Sequence, residues 1–328
     1  MTRFVIANAG LVALLALALA FGGVWPVLAL LYMTVLTFVI DRIGALAAAD
    51  APERAEFPAS TALLVGLGIA HFVLLVVGIQ LIGTDSHLET LDKVLCFTAL
   101  GLYFGQISHP VAHELIHRSA RVLRHLGIWV YTTLLFGHHA SAHVRVHHVH
   151  VATSRDPASC PKGRGFWRYA VRAWKGSFTA GLAAEKRLRG GPGPYRTYVA
   201  GAALSVVLAL VIAGPGGLLV LLGLASYAQI QILLSDYVQH YGLRRADGTP
   251  VSPAHSWNAP GAMSGALMLN APRHSDHHAH PSRDYPALRV SDDMPVLPHP
   301  LPVMAVIALW PGLWRRVMDP RLREMSQR

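Results

Sequence analysis

Long apolar runs separated by short polar breaks dominate the chain. Residues 4–22 and 24–40 are almost wholly apolar on either side of Gly22 and Gly23. A third run, 60–82, follows a polar link at 41–59, and a fourth, 92–112, follows the acidic link GTDSHLETLD. Two more, 197–213 and 217–237, flank the sequence Gly214-Pro215-Gly216-Gly217. A helix needs about 17–25 mainly apolar residues to cross the roughly 30 Å hydrocarbon core of a bilayer. The pattern therefore predicts an all-α integral membrane protein with six transmembrane helices. A cleavable leader is the competing reading of 4–22 behind Arg3. A second apolar run follows at once with no A-x-A site between, which argues against it. The polar stretches 113–196 and 238–328 form a cap, so that 1–328 reads as one membrane-embedded domain. A last apolar stretch, 301–314, is too short to span. It is expected to lie along the membrane surface, with Trp310, Trp314, Arg315 and Arg316 at the interface.

Composition agrees. Of 328 residues 53% are hydrophobic and 14% charged, against about a quarter charged in ordinary soluble domains, and the mean hydropathy is +0.40. The net charge is +10 with histidine neutral, which could suggest nucleic acid, but the placement of the charges gives another cause. Of the 28 Lys and Arg residues, 4 lie in 1–112, 14 in 113–196 and 10 in 241–328. With both termini in the cytoplasm, the turn at 22–23 and the links 83–91 and 214–216 carry none, and only Lys93 sits near the outer side. That is the positive-inside distribution. The expected location is the inner (cytoplasmic) membrane, with anionic lipid rather than nucleic acid as the partner of the basic cap. There are two cysteines, Cys96 and Cys160, and no C-x-x-C. A disulfide framework, a zinc ribbon and an iron–sulfur or rubredoxin-type site within this chain are thereby excluded.

Candidate chemistry lies at the cap. HELIH holds His113 and His117, HVRVHH holds His143, His147 and His148, YVQHYG holds His240, and RHSDHH holds His274, His277 and His278. On a helix, residues i and i+4 share a face. The spacing predicts that His113/His117, His143/His147 and His274/His278 each aim two imidazoles at one point. HELIH alone is a weak signal, although it matches the H-E-x-x-H pattern in which Glu114 would be a general base. Nine histidines in four groups, each beside an apolar run and all on one side, are hard to place as packing residues, because buried polar groups need partners. Imidazole suits Zn, Fe, Cu and Ni, and two ions with four or five ligands each account for nine. Glu114 and Asp276 are candidates to hold imidazole N–H groups. His71 reads as a core histidine within a span, His138 and His139 as neighbours of the site, and Asp156-Pro157 and Trp257-Asn258 as turn or packing elements.

These motifs in order, HELIHR, H-x-x-x-HH followed by ATSRDPA, YVQHYGL, PAHSWN, RHSDHHAHPSRDYPALR and VMDP, resemble those of the membrane alkane hydroxylases (alkane 1-monooxygenases), within the fatty acid desaturase-like, histidine-rich di-iron superfamily. The resemblance covers 113–320. It implies a cytoplasmic cap holding two Fe ions, and O₂-dependent hydroxylation of the terminal carbon of an alkane or similar apolar alkyl substrate. Electrons would come from a separate rubredoxin or ferredoxin fed by an NAD(P)H reductase. By motif, His113, His117, His143, His147, His148, His240, His274, His277 and His278 would be the iron ligands. Two departures stand out: Ala142 and Gln239 occupy positions where the family usually has Glu. Within the superfamily the alternatives are a fatty acid desaturase and an alkyl-aromatic methyl hydroxylase. The substrate is expected to enter from the bilayer, through an apolar channel lined by 60–112 and 197–237. Outside the superfamily, an intramembrane zinc protease built on HELIH would leave six of the histidines without a role. A histidine-rich metal carrier would place ligands along the spans rather than at one face.

Overall fold

The computed structural model describes residues 1–43, 50–52 and 55–325. The link at 41–59 falls partly outside them, with Arg54. Among the described residues the chain is made of helices and the loops that join them, with no strand beyond an isolated bridge between Asn258 and Val296.

Five helices among the described residues are long and apolar enough to cross a membrane. They are α1 (Thr2–Phe21), α2 (Val24–Ile43), α3 (Ser60–Gly83), α4 (Thr90–Ile116) and α8 (Tyr195–His240). At about 1.5 Å per residue, the 46 residues of α8 would reach about 70 Å, twice a bilayer core. Instead the helix breaks at Ala213 and Gly214, the latter at φ 57° and ψ −148°, a region that only glycine enters readily. The chain reverses there. A Cβ on Gly217 would collide with the carbonyl oxygen of Ala209, which in a straight helix lies about 12 Å away. The halves 195–212 and 215–240 thus match the two runs read from the sequence. A Cβ on Gly216 would strike the carbonyl of Gly83, so the turn at 214 rests on the end of α3. The Gly22–Gly23 turn joins the same end, where Gly23 N–H donates to Asp92 Oδ1 at 2.8 Å.

The cap is built from α5 (Arg121–Thr133), α6 (residues 139–150), α7 (Phe166–Arg189), α9 (Ala262–Leu267), α10 (His274–Ala279), α11 (Leu301–Ala308) and α12 (Pro311–Met325). Their buried faces form two further apolar cores below the bundle. One holds Tyr169, Tyr237, Tyr241, Trp257 and Trp314. This corrects the expectation for 301–314. Trp310 is 57% exposed, but Trp314 is fully buried, packed on Tyr237 and Tyr241. Helix α11 turns its Leu301 and Met304 inward rather than lying wholly at the surface.

Polar links tie cap to bundle. Asp41 accepts from the backbone of Met263 (2.7 Å) and Ser264 (3.2 Å), capping α9. Arg118 pairs with Asp284, and Arg273 with Asp50. His71, buried within α3, has both ring nitrogens engaged, with Ser108 at 3.0 Å and Thr133 at 2.9 Å. It is a satisfied core residue, as its mid-span position suggested.

Candidate metal centre

All nine motif histidines converge at the cap end of the bundle. One ring nitrogen from each of His113, His117, His143, His148 and His277 lies within 4.8 Å of the others, and one from each of His147, His240, His274 and His278 forms a second such group. The last turn of α4 supplies His113, with His117 capping it. Helix α6 supplies His143, His147 and His148, the end of α8 supplies His240, and α10 supplies the rest.

The grouping corrects the pairing read from i, i+4 spacing. His113/His117 and His274/His278 do share a group. His143 and His147 do not, because residues 143–147 form a wide π-type turn. A π turn brings i and i+5 together, so His143 stands beside His148, their Nε2 atoms 2.9 Å apart. His147 is swung to the other group. His277 likewise crosses over, its Nε2 3.2 Å from that of His148.

Hydrogen bonding alone does not account for this packing. Nε2 of His274 faces Nε2 of both His240 and His278 at 3.1 Å, and Nε2 of His148 faces both His143 and His277. A ring nitrogen carries one N–H or one lone pair and can satisfy only one such contact. Among the described residues both ring nitrogens of His113, and Nε2 of His117 and His147, have no hydrogen-bond partner. Each buried polar atom left so costs about 1–3 kcal/mol. A cation removes the difficulty: two imidazoles bound at about 2.1 Å and at right angles stand about 3.0 Å apart, close to the spacings seen. The donor set is all nitrogen, which disfavours Mg and Ca and suits a transition metal. Burial first, and then repulsion between neighbouring rings, holds His143, His148, His274, His277 and His278 well below the ordinary imidazole range. They are therefore neutral, as binding a metal would require.

The neighbours differ from expectation. Among the described residues neither Glu114 nor Asp276 holds an imidazole of either group in a hydrogen bond. Glu114 faces Arg118 at 3.7 Å. Asp276 accepts from Arg283 at 2.6 Å and from the backbone of Arg289, and bonds His280. Both acids anchor the cap. The carboxylate that does orient a ring is Asp156, read from sequence only as part of a turn. Its Oδ2 lies 2.8 Å from His147 Nδ1. Burial opposes charge on both partners, but the pairing prevails: His147 is held above its ordinary value and Asp156 below. Asn258 is a packing element that also positions the site, since its Oδ1 accepts from Ser275 N at 3.0 Å at the start of α10.

A cavity of about 500 Å³ leads to the histidines. His113, His143 and His274 line its inner end, with His109, which is in neither group, beside them. Its walls come from α2 (Met33, Phe38), α4 (Leu102, Gly105), α8 (Tyr227, Leu234) and α11 (Val303, Val306). Residues 60–82 take no part, which corrects the expected channel; the helices that replace them, α2 and α11, lie at opposite ends of the chain. Gln239 and Asp236 also line the wall. Gln239 is buried and its side chain is used structurally, donating to Ala271 O at 3.2 Å and accepting from Ser235 at 2.8 Å.

A multi-pass helical bundle with a buried imidazole cluster at the end of an apolar cavity defines an integral-membrane metalloenzyme acting on apolar molecules. The sequence model of the fatty acid desaturase family matches residues 91–291. The chain is 30% identical to alkane 1-monooxygenase 2 of Pseudomonas aeruginosa over 325 residues, covering 91% of this chain and 84% of that one. It is 31% identical to an alkane 1-monooxygenase of Pseudomonas putida over 77% of this chain and 65% of that one. It is also 29% identical to the xylene/toluene monooxygenase hydroxylase component of Pseudomonas putida, over 85% and 76%. The chain belongs to the alkane hydroxylases of the fatty acid desaturase family, and it is a monooxygenase.

Proposed function

We propose that the chain binds two iron ions and uses O₂ to hydroxylate the terminal carbon of an alkane or similar apolar alkyl substrate. The observation that carries this reading is the division of nine imidazoles, seven of them buried, into groups of five and four at the inner end of the cavity. In this reading His113, His117, His143, His148 and His277 hold one ion, and His147, His240, His274 and His278 the other. Iron is favoured over zinc because zinc has no redox chemistry. When bound, the metal pair supplies the two-electron activation of O₂ that cleaving an unactivated C–H bond requires. The protein's own part is positional. Asp156 fixes the ring of His147. The walls from α2, α4, α8 and α11 direct a chain end toward His113, His143 and His274 and keep bulk water from it. We read the mouth as opening sideways, since Val35 and Val306 line the cavity and are 54% and 56% exposed. Substrate enters there from the lipid.

Two electrons and two protons are needed for each O₂ consumed. Cys96 and Cys160 are both buried and offer no electron-carrier site. A separate rubredoxin or ferredoxin, reduced by an NAD(P)H reductase, docks on the basic cap. The protein is a single unit in the inner membrane, with six spans and both termini cytoplasmic. Likeness to the xylene/toluene enzyme, with Ala142 and Gln239 in place of Glu, supports a second reading in which the substrate is an alkyl-aromatic methyl group.

The test is metal analysis joined to turnover. Purified enzyme should hold two Fe per chain and, given reductant and ¹⁸O₂, form an alcohol carrying one ¹⁸O. His274→Ala should lose iron and cut turnover at least a hundredfold. One Zn per chain, or unchanged turnover in His274→Ala, would overturn the assignment. An alkane and alkyl-aromatic panel, with products identified by mass spectrometry, separates the two substrate readings.

A further inference from the structure

A run of rings that the metal sites do not use joins the site to the surface. His139 lies one turn before His143, their ring centroids 5.4 Å apart. Phe136 stacks on His139 at 5.1 Å, His138 meets Phe136 at 4.6 Å, and Trp174 stands 6.5 Å from His138. Trp174 is 45% exposed. Near the inner end, the fully buried Tyr131 is 4.9 Å from His139. Its hydroxyl lies 2.9 Å from Nδ1 of His109, whose own ring is 6.0 Å from that of His113.

Edge-on aromatic packing is common in protein cores, so the contacts alone say little. The order of the rings says more. An oxidisable phenol with a base at hydrogen-bond distance sits beside the metal site, an oxidisable indole sits at the surface, and π systems at van der Waals spacing join them. Phenol and indole give up an electron only to a strong oxidant, and a centre able to attack an unactivated C–H bond is one. A donor protein of ordinary potential could not feed electrons inward through these rings, so traffic along them runs outward.

We propose that this chain drains oxidising equivalents from the metal centre when no substrate occupies the cavity. This rests on the di-iron oxygenase reading. Tyr131 gives one electron to the oxidised centre and its phenolic proton to Nδ1 of His109, with that ring in its Nε2–H form. Trp174 then gives one electron to the tyrosyl radical, which takes its proton back from His109. The indole loses its proton to solvent. The net transfer is one electron from Trp174 to the centre and one proton from Trp174 to water. An external thiol restores the indole, or O₂ traps it as a stable oxidation product.

The experiment runs iron-loaded enzyme in membranes with reductant and O₂, with and without substrate, and maps oxidised tryptophan by mass spectrometry. Trp167 and Trp310, 53% and 57% exposed, are the internal controls. The expected result is oxidation of Trp174 several-fold above both controls, suppressed several-fold by saturating substrate and abolished in Tyr131→Phe. A tyrosyl or tryptophanyl radical signal should appear in idling samples frozen for electron paramagnetic resonance. Trp174→Phe should hydroxylate substrate at the normal rate but lose activity several-fold faster when idling. Oxidation of Trp174 at the level of the controls, or insensitive to substrate and to Tyr131→Phe, would overturn the proposal and leave the oxygenase reading intact, provided alcohol is formed. Absence of alcohol from enzyme holding two irons would remove the oxygenase reading and this proposal with it.

Discussion

Asp156 is fixed before it meets its histidine. Its carboxylate accepts from Ser159 Oγ at 2.6 Å and from the backbone of Ala158 at 3.0 Å, so the oxygen facing His147 is held rigidly. Outer partners of this kind typically change metal affinity by about 10–100-fold. Asp156→Asn is expected to lower affinity at the group of four within that range while the chain stays folded, which metal titration and circular dichroism would show. Glu114→Gln, by contrast, leaves the imidazoles untouched. It should change metal content less than twofold and lower thermal stability instead, through the lost contact with Arg118. The nine histidines were legible in the sequence because so many imidazoles, regularly spaced beside apolar runs, cannot all be packing residues. Asp156 was not, since an Asp-Pro turn nine residues from His147 looks like any other turn until the fold closes. The roles first given to Glu114 and Asp276 failed for a related reason. Nearness along the chain on a helix does not fix which side chain an acid meets, and both meet arginines.

At the scale of the element, the long apolar runs predicted the helices to within a few residues, because bilayer thickness sets their length. Even the break in α8 was announced by Gly214-Pro215-Gly216-Gly217. With φ 57° and ψ −148° at Gly214, Gly214→Ala is expected to cost about 1–3 kcal/mol, seen as a lower melting temperature with unchanged metal stoichiometry once folded. The local winding of α6 was not legible. A periodicity argument assumes a regular α-helix, and the π turn at 143–147 changes which histidines face each other. One extra residue in that turn lets three consecutive-motif histidines serve two groups, which a regular helix could not do with the same sequence.

At the scale of the molecule, the three short turns lie at one end and all nine histidines at the other, as the charge distribution implied. Reporter fusions should place residue 87 on the non-cytoplasmic side of the membrane and the C-terminus on the cytoplasmic side. The cavity was only half foreseen. Two of its four walls come from residues 102–113 and 227–239, in the expected stretches, but the others come from 33–41 and 300–309. No local pattern announces a contact between segments so far apart in sequence. Because Val35 and Val306 stand at the proposed mouth, Val35→Trp and Val306→Trp are expected to raise KM more steeply for bulkier substrates than for slender ones, with iron content unchanged. A chain-length series measures this.

The sideways mouth has a consequence for how the enzyme meets its supply. On the proposed lipid-side entry, a molecule in the aqueous phase is invisible to it until dissolved in the surrounding lipid, so the relevant dose is moles per mole of phospholipid. Adding empty vesicles at fixed total substrate should dilute that dose and slow turnover, although the bulk concentration and the amount of enzyme are unchanged.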